Sequence, residues 1–316
     1  MIKMQITVRP LKKTDFPKAS HINRVAFGTL FGEADLERFW LDVEVVRTRW
    51  LADPSSAFGV DVDGELVGSS FATRWGSVGL LGPLSVHPDL WDQGIGKCLM
   101  EPVLKCLETW GVTHAGLFAL ADSPKHLGLY QKYGFWPRFL TAIMSKPVQR
   151  IETVTPFSKF SQVTESEQKR WLNACRSLTN DLYSKLDLER EIRAVHTQGL
   201  GETILLWNDR DLLGFAVCHC GPGTEAGNNK CFIKFGAVRQ GPMAGEYFDL
   251  LLDVCEELAF TRGMSILEAG ISTARQEAYR KMFDRGFRSE LQGVTMHRPN
   301  EPGYNRPDGY IIDDWR

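Results

Sequence analysis

Gly82-Pro83-Leu84-Ser85-Val86-His87-Pro88-Asp89-Leu90-Trp91-Asp92-Gln93-Gly94-Ile95-Gly96-Lys97 is the stretch whose reading decides the fold. It begins as an apolar strand, turns at His87-Pro88-Asp89, passes through a loop with two glycines and enters a helix from Cys98 to Trp110. A second apolar strand follows from Ala115 to Leu120, then the polar link Ala121-Asp122-Ser123, a helix from Lys125 to Lys132 and the turn Tyr133-Gly134-Phe135. Glycines at a strand-to-helix junction let main-chain N–H groups approach an anion closely. The first helical turn adds unpaired donors and the positive end of the helix dipole. The stretch therefore reads as a pyrophosphate cradle, and its ligand as a phosphorylated cofactor.

Gly94-x-Gly96 alone carries little, and two familiar phosphate motifs do not fit it. A dinucleotide fingerprint needs a third glycine, but Leu99 occupies that position; the loop also follows a late strand. The two glycines are too close together for a Walker loop. The order of the neighbouring pieces is more specific. Leu84-Ser85-Val86-His87-Pro88, then Gln93-Gly94-Ile95-Gly96-Lys97, then Leu129-Tyr130-Gln131-Lys132-Tyr133-Gly134-Phe135 resemble the GNAT N-acyltransferase family. The resemblance implies acetyl-CoA or another acyl-CoA as donor substrate, and no metal. It implies cofactor contacts from Gln93, Gly94, Ile95, Gly96, Lys97 and Cys98 around the pyrophosphate. Leu84, Ser85 and Val86 would lie along the pantetheine, on a strand that parts from its neighbour. Ser123 stands where the family often has Asn, and Tyr130 matches the general acid for the leaving thiolate. A phenol of ordinary pKa ~10 keeps its proton at neutral pH, as that role requires.

This chain departs from the family in two places. Trp91 replaces an Arg or Gln, losing a side-chain contact to the cofactor. The strand Leu80 to Val86 has no carboxylate where many members carry a general base. His87 is a candidate base by pKa, but its turn position favours a surface role. Glu33, Asp35 and Glu37 are candidates for holding a cationic acceptor, and a solvated helix start explains them equally well.

The 316 residues suffice for two domains. Composition is that of an ordinary globular protein, 43% hydrophobic and 24% charged. A net charge of −2 offers no bulk attraction for nucleic acid or an anionic membrane. No apolar run approaches the ~20 residues of a membrane span, and Met1 to Gln5 lack a signal-peptide core, so a cytoplasmic location is expected. Seven scattered cysteines do not form a disulfide framework. Cys218-His219-Cys220 with Cys231 lack the further ligands of a metal site and read as structural thiols, with His219 on the opposite strand face.

Along the chain, Ile6 to Pro10 reads as a strand, Thr14 to Phe27 as a helix, and Ala34 to Leu51 as a longer second helix. Ala57–Val62 and Leu66–Ala72 flank Asp63-Gly64, a hairpin signal, and Thr141 to Met144 closes the half. This order predicts an α+β fold with a mixed sheet. The pattern recurs from Glu202: a hairpin around Asn208 to Asp211, a strand Cys231–Val238, a helix Gly245–Thr261, a strand Ser265–Gly270 and a helix Gln276–Asp284. Gly134-Phe135 and Gly286-Phe287 are 152 residues apart. We therefore expect two tandem GNAT-like folds: residues 1–148 catalytic, 149–163 a linker, and 164–316 a degenerate copy with an extended tail. In the copy, Pro242 removes a donor from the cradle and Met282 replaces Tyr130.

The expected activity is acyl transfer from acyl-CoA to an amine of a small molecule or peptide, by direct attack in a ternary complex. Two alternatives stay open at this point: other acyl-thioester chemistry, such as decarboxylation or transfer from a carrier protein, and a non-catalytic acyl-CoA-binding module. A homodimer is also left open.

Overall fold

The computed structural model describes residues 4–150 and 156–316. Residues 1–3 and 151–155, part of the expected linker, lie outside the described residues. The first half runs β1 (Ile6–Pro10), α1 (Phe16–Phe31), α2 (Val46–Ala52), β2 (Ala57–Val62), β3 (Glu65–Trp75), β4 (Val78–Val86), α3 (Ile95–Thr109), β5 (His114–Leu120), α4 (Pro124–Gln131) and β6 (Trp136–Pro147). The second repeats it as β7 (Phe157–Lys159), α5 (Glu165–Leu182), α6 (Glu189–Gln198), β8 (Gly201–Trp207), β9 (Leu212–Cys220), β10 (Lys230–Val238), α7 (Ala244–Thr261), β11 (Ile266–Ser272), α8 (Gln276–Asp284), β12 (Arg288–Arg298) and a short β13 (Ile311–Ile312). Both expected repeats are present, with the mixed sheet expected of them.

Local chemistry explains most of these elements. Asp63 and Gly64 adopt φ of 50° and 87°, the left-handed pair a tight hairpin needs between β2 and β3. Along β5, Ala115, Leu117 and Ala119 pack with α3 and α4 residues in one core. His114 and Gly116 face the other side, towards Trp315. The strand is thus buried on both faces, which is why it reads as a continuous apolar run.

One expected helix is much shorter. Residues 35–45 turn repeatedly, and only Val46–Ala52 is helical there. Tertiary contacts override the local helical pattern. Glu44 N–H donates to Thr224 O at 2.9 Å, Gly223 N–H donates to Asp42 O at 2.8 Å, and Phe27, Phe31, Phe39 and Trp40 collect into one aromatic cluster. The predicted strand at Thr141 to Met144 is the middle of a 12-residue strand.

The two halves share strands. The sheet order is β1-β2-β3-β4-β5-β12-β6-β11-β10-β9-β8-β7. β12 of the second half lies between β5 and β6 of the first, and β6 lies between β12 and β11 of the second. Pairing therefore crosses the division expected from sequence at 149–163. Neither half has a free sheet edge at the join, so neither exposes a row of unpaired main-chain groups there.

The seam between β5 and β12 is polar. His114 Nε2 lies 3.0 Å from His297 Nδ1, and both rings are buried. Burial, with the Arg138 cation adding to it, pushes His114 down to about 4. Burial and the neighbouring His114 push His297 down to about 3. Unfolding lets both rings return towards 6.5 and bind protons, so the stability the neutral pair supports is complete above pH 6.5 and is lost as pH falls towards 4. His114 alone accounts for on the order of 3 kcal/mol across that window. Chemical denaturation between pH 7.5 and 4 should show this decline. The double substitution His114→Gln, His297→Gln should make it shallower, leaving the share of His219, which burial also holds down to about 4; an unchanged slope would remove the pair as a source.

Candidate acyl-CoA cleft

The site begins where β4 and β5 part. Their parallel pairing covers Val78, Gly79 and Leu80 against His114, Ala115 and Gly116, then stops, although the strands continue to Val86 and Leu120. The main chain of β4 beyond this point has β3 on one side and an opening on the other. Two carbonyls facing the opening are taken by side chains: Gly82 O accepts from Arg49 Nη1 at 2.6 Å, and Val86 O accepts from Trp91 Nε1 at 2.7 Å. By strand alternation, Leu84 presents its own N–H and C=O to the same opening.

A cleft of about 470 Å³ lies along this opening. Leu84, Ser85, Val86, Gly94, Ile95, Gly96 and Lys97 all line it, so the structure brings together the strand and loop residues expected from sequence. Gly94 caps α3 in the left-handed conformation, φ 79°, which holds the loop close to the helix start. A Cβ placed on Gly94 would meet nothing within 4 Å, and one on Gly96 would meet only Leu129 and Leu84 at 3.8 Å. The main chain here is open to a ligand, and α3 directs its first N–H groups there. Lys97, Lys125 and Lys132 also line the cleft and give it positive charge.

Four expected residues stand beside the cleft and are absent from its lining. Gln93 is exposed and its amide donates to Asp89 O at 3.4 Å. Cys98 Sγ points back to Gly94 O at 3.9 Å. Ser123 Oγ lies 2.7 Å from Nδ1 of His126, and it is His126 that reaches the cleft. Tyr130 is buried against Leu117, Met100 and Phe135, and burial pushes its phenol up to about 12.

The structure adds residues that sequence reasoning missed. Phe27 and Leu30 of α1 form one wall. Lys125, Gly128, Leu129 and Lys132 form another, a helical spacing of three, four and seven that was there to be read on α4. Trp91 is tied into the rim, with Lys125 Nζ 5.4 Å from the centre of its ring and 2.7 Å from Asp92 Oδ1. His87 Nδ1 accepts the Asp89 N–H at 3.4 Å, a local turn contact. Glu37 lies 3.5 Å from Arg24, and Asp35 accepts the Arg38 N–H at 3.2 Å. Cys218 and Cys231 sit in the second core, while His219 turns to the other face and accepts from Glu225 N–H at 3.4 Å.

Known proteins agree with this geometry. Residues 19–135 match the model of the Acetyltransferase (GNAT) family. Acetyltransferase ECA0875 of Pectobacterium atrosepticum is 34% identical over 105 residues, 33% of this chain and 74% of that protein. A Pyrococcus horikoshii protein assigned as an acetyltransferase superposes with a TM-score of 0.70 at 16% identity, covering 98% of this chain and 95% of its own. A tandem GNAT protein from the clavulanic acid biosynthesis pathway superposes with a TM-score of 0.55 at 11% identity, covering 93% and 98%. At such identities the structural likeness speaks to the fold alone. Cradle, parted strands and related sequences lead to one conclusion: the chain belongs to the GNAT acetyltransferase family.

Proposed function

We propose that the first half, residues 1–148, takes acetyl-CoA or another acyl-CoA in the cleft between β4 and β5 and transfers the acyl group to an amine of a small molecule or peptide. The observation that carries this reading is the parting of the strands beside an uncovered helix start. The opening supplies main-chain partners for an extended amide-bearing arm, and the helix start supplies donors for phosphates.

The residues fit such a donor. Gly94, Ile95, Gly96 and Lys97 would hold the pyrophosphate, with Gln93 and Cys98 flanking them. Leu84, Ser85 and Val86 would run beside the pantetheine. Ser85 Oγ is buried with no hydrogen-bond partner among the described residues, a group a polar arm would satisfy. Ser123 would act through His126, which it orients. When bound, the thioester supplies an activated acyl group. Tyr130 stands beside the cleft and keeps its proton at neutral pH, as a donor to the leaving sulfur must; the role requires its buried phenol to reach that sulfur. The amine attacks directly, so donor and acceptor are held together, and a positioned pair reacts without a covalent enzyme intermediate. The second half is then a scaffold, and residues 157–163, expected as linker, belong to it: β7 pairs with β8 and Phe160 is buried in its core.

Three measurements test this. Acetyl-CoA should raise the melting temperature of the full chain; no shift with acetyl-, malonyl- or longer acyl-CoA would sink the reading. Gly96→Asp puts a carboxylate in the cradle while suiting the positive end of α3, so it should leave stability unchanged or slightly raised and weaken acetyl-CoA binding at least about tenfold. Tyr130→Phe should lower kcat by about a hundredfold with acetyl-CoA affinity retained. Unchanged turnover would take the proton-donor role away from Tyr130.

A further inference from the structure

The second half repeats the parted strands, and they do not stand open. β10 pairs with β11 from Lys230 to Ile233 and then continues to Val238 without it. Leu80 pairs with Gly116 in the first half, and Phe232 pairs with Glu268 in the second, each residue displaced by the same 152 positions. On this register Gly236 and Val238 correspond to Leu84 and Val86, the positions that face the opening.

The tail of the chain fills those positions. Ile312 pairs with Gly236 and Ile311 with Ala237 as β13, and the Val238 N–H points to Tyr310 O at 3.4 Å. Ile311 and Ile312 are fully buried. The helix start is covered as well. Gly245 is the second residue of α7, as Gly96 is of α3. A Cβ on Gly245 would lie 3.0 Å from the Tyr310 hydroxyl and 3.0 Å from the Lys281 chain, where Gly96 has free space. The Tyr310 ring also packs on Phe248 of α7, with centroids 5.5 Å apart. An extended peptide segment thus supplies main-chain partners along the strand, and an aromatic side chain covers the helix start.

We propose that residues 310–312 are a built-in occupant of the second donor slot, so that the chain binds one acyl-CoA, in the first half alone. The proposal rests on the donor reading above for the first half; the occupancy of the second is independent of it. Beyond β13 the tail reaches the first half, where the Trp315 ring covers Gly116 and Arg316 O accepts from Arg49 Nη2 at 2.7 Å. Displacing the occupant would therefore also disturb the place where β4 leaves β5.

Hydrogen exchange on the full chain, followed peptide by peptide, with native mass spectrometry for stoichiometry, tests this. In the ligand-free chain, peptides spanning 234–248 and 306–316 should be strongly protected, and saturating acetyl-CoA should leave them unchanged. The peptide spanning 84–98 should gain protection with acetyl-CoA, and one ligand per chain should be seen. A second bound acetyl-CoA, rapid exchange of the tail in the free chain, or loss of tail protection on adding acetyl-CoA would each overturn the proposal. If no acetyl-CoA binds while the tail stays protected, the donor reading of the first half fails and the occupancy of the second slot stands. No variant is needed, so no outcome is confused with misfolding.

Discussion

Two parallel strands that part after a few residues leave main-chain groups facing a gap, and a buried N–H or C=O without a partner costs more than a hydrogen bond returns. This constraint organises the molecule. β4 and β5 part beyond Leu80 and Gly116. Arg49 and Trp91 satisfy the carbonyls at the two ends of the opening, at Gly82 and Val86. What remains between them is the main chain of Leu84, which faces the opening, and the Ser85 hydroxyl, which has no partner among the described residues. These groups suit a ligand that is itself an extended chain of amides. In the second half the same constraint is met from inside the chain by β13.

The copies diverge where that difference requires it. The loop between strand and helix is shorter in the second half, 239–243 against 87–94, and carries Pro242. Met282, in the place of Tyr130, is fully buried in the second core. Neither change harms a fold whose slot is already filled. Both would harm one that had to admit a phosphate and deliver a proton.

The amino-acid order revealed the first half in detail and the second only in outline. Strand β4, the Gly94–Gly96 loop and the hairpin at Asp63-Gly64 were legible because short-range chemistry dictates them: positive φ, helix-start donors, period-two burial. α5 was legible in principle, since Thr164 and Glu167 form a capping box, each bonding the other's main chain. Residues 35–45 misled because their helical pattern is overruled by Thr224 and Gly223, nearly two hundred residues away in the chain. β12 was not legible at all. Its first half, Arg288-Ser289-Glu290-Leu291-Gln292, is polar, and Gly293 stands in the middle of the strand; neither feature suggests an interior strand. That glycine is explained only by the neighbour: a Cβ on Gly293 would lie 2.3 Å from the Phe118 ring of β5. A strand chosen to fit a partner from the other half carries little local signal.

The second half, without an open slot of its own, still bears on the place where β4 leaves β5. Arg49 holds Gly82 O where β4 departs, and its own position is fixed by Glu225, at 3.1 and 3.0 Å. Lys234 Nζ reaches Glu225 at 2.8 Å and Glu191 at 3.0 Å, and none of the four side chains is more than 9% exposed. Burial opposes ionisation of Glu225, and the cations Arg49 and Lys234 overcome it, holding the carboxyl well below its usual range. Breaking one member of such a buried group costs about 3–5 kcal/mol, because the others are left charged and unpaired. A network with that penalty holds Arg49 in one place. The place where β4 leaves β5 is therefore held by residues of the second half, although only the first half presents an open cradle.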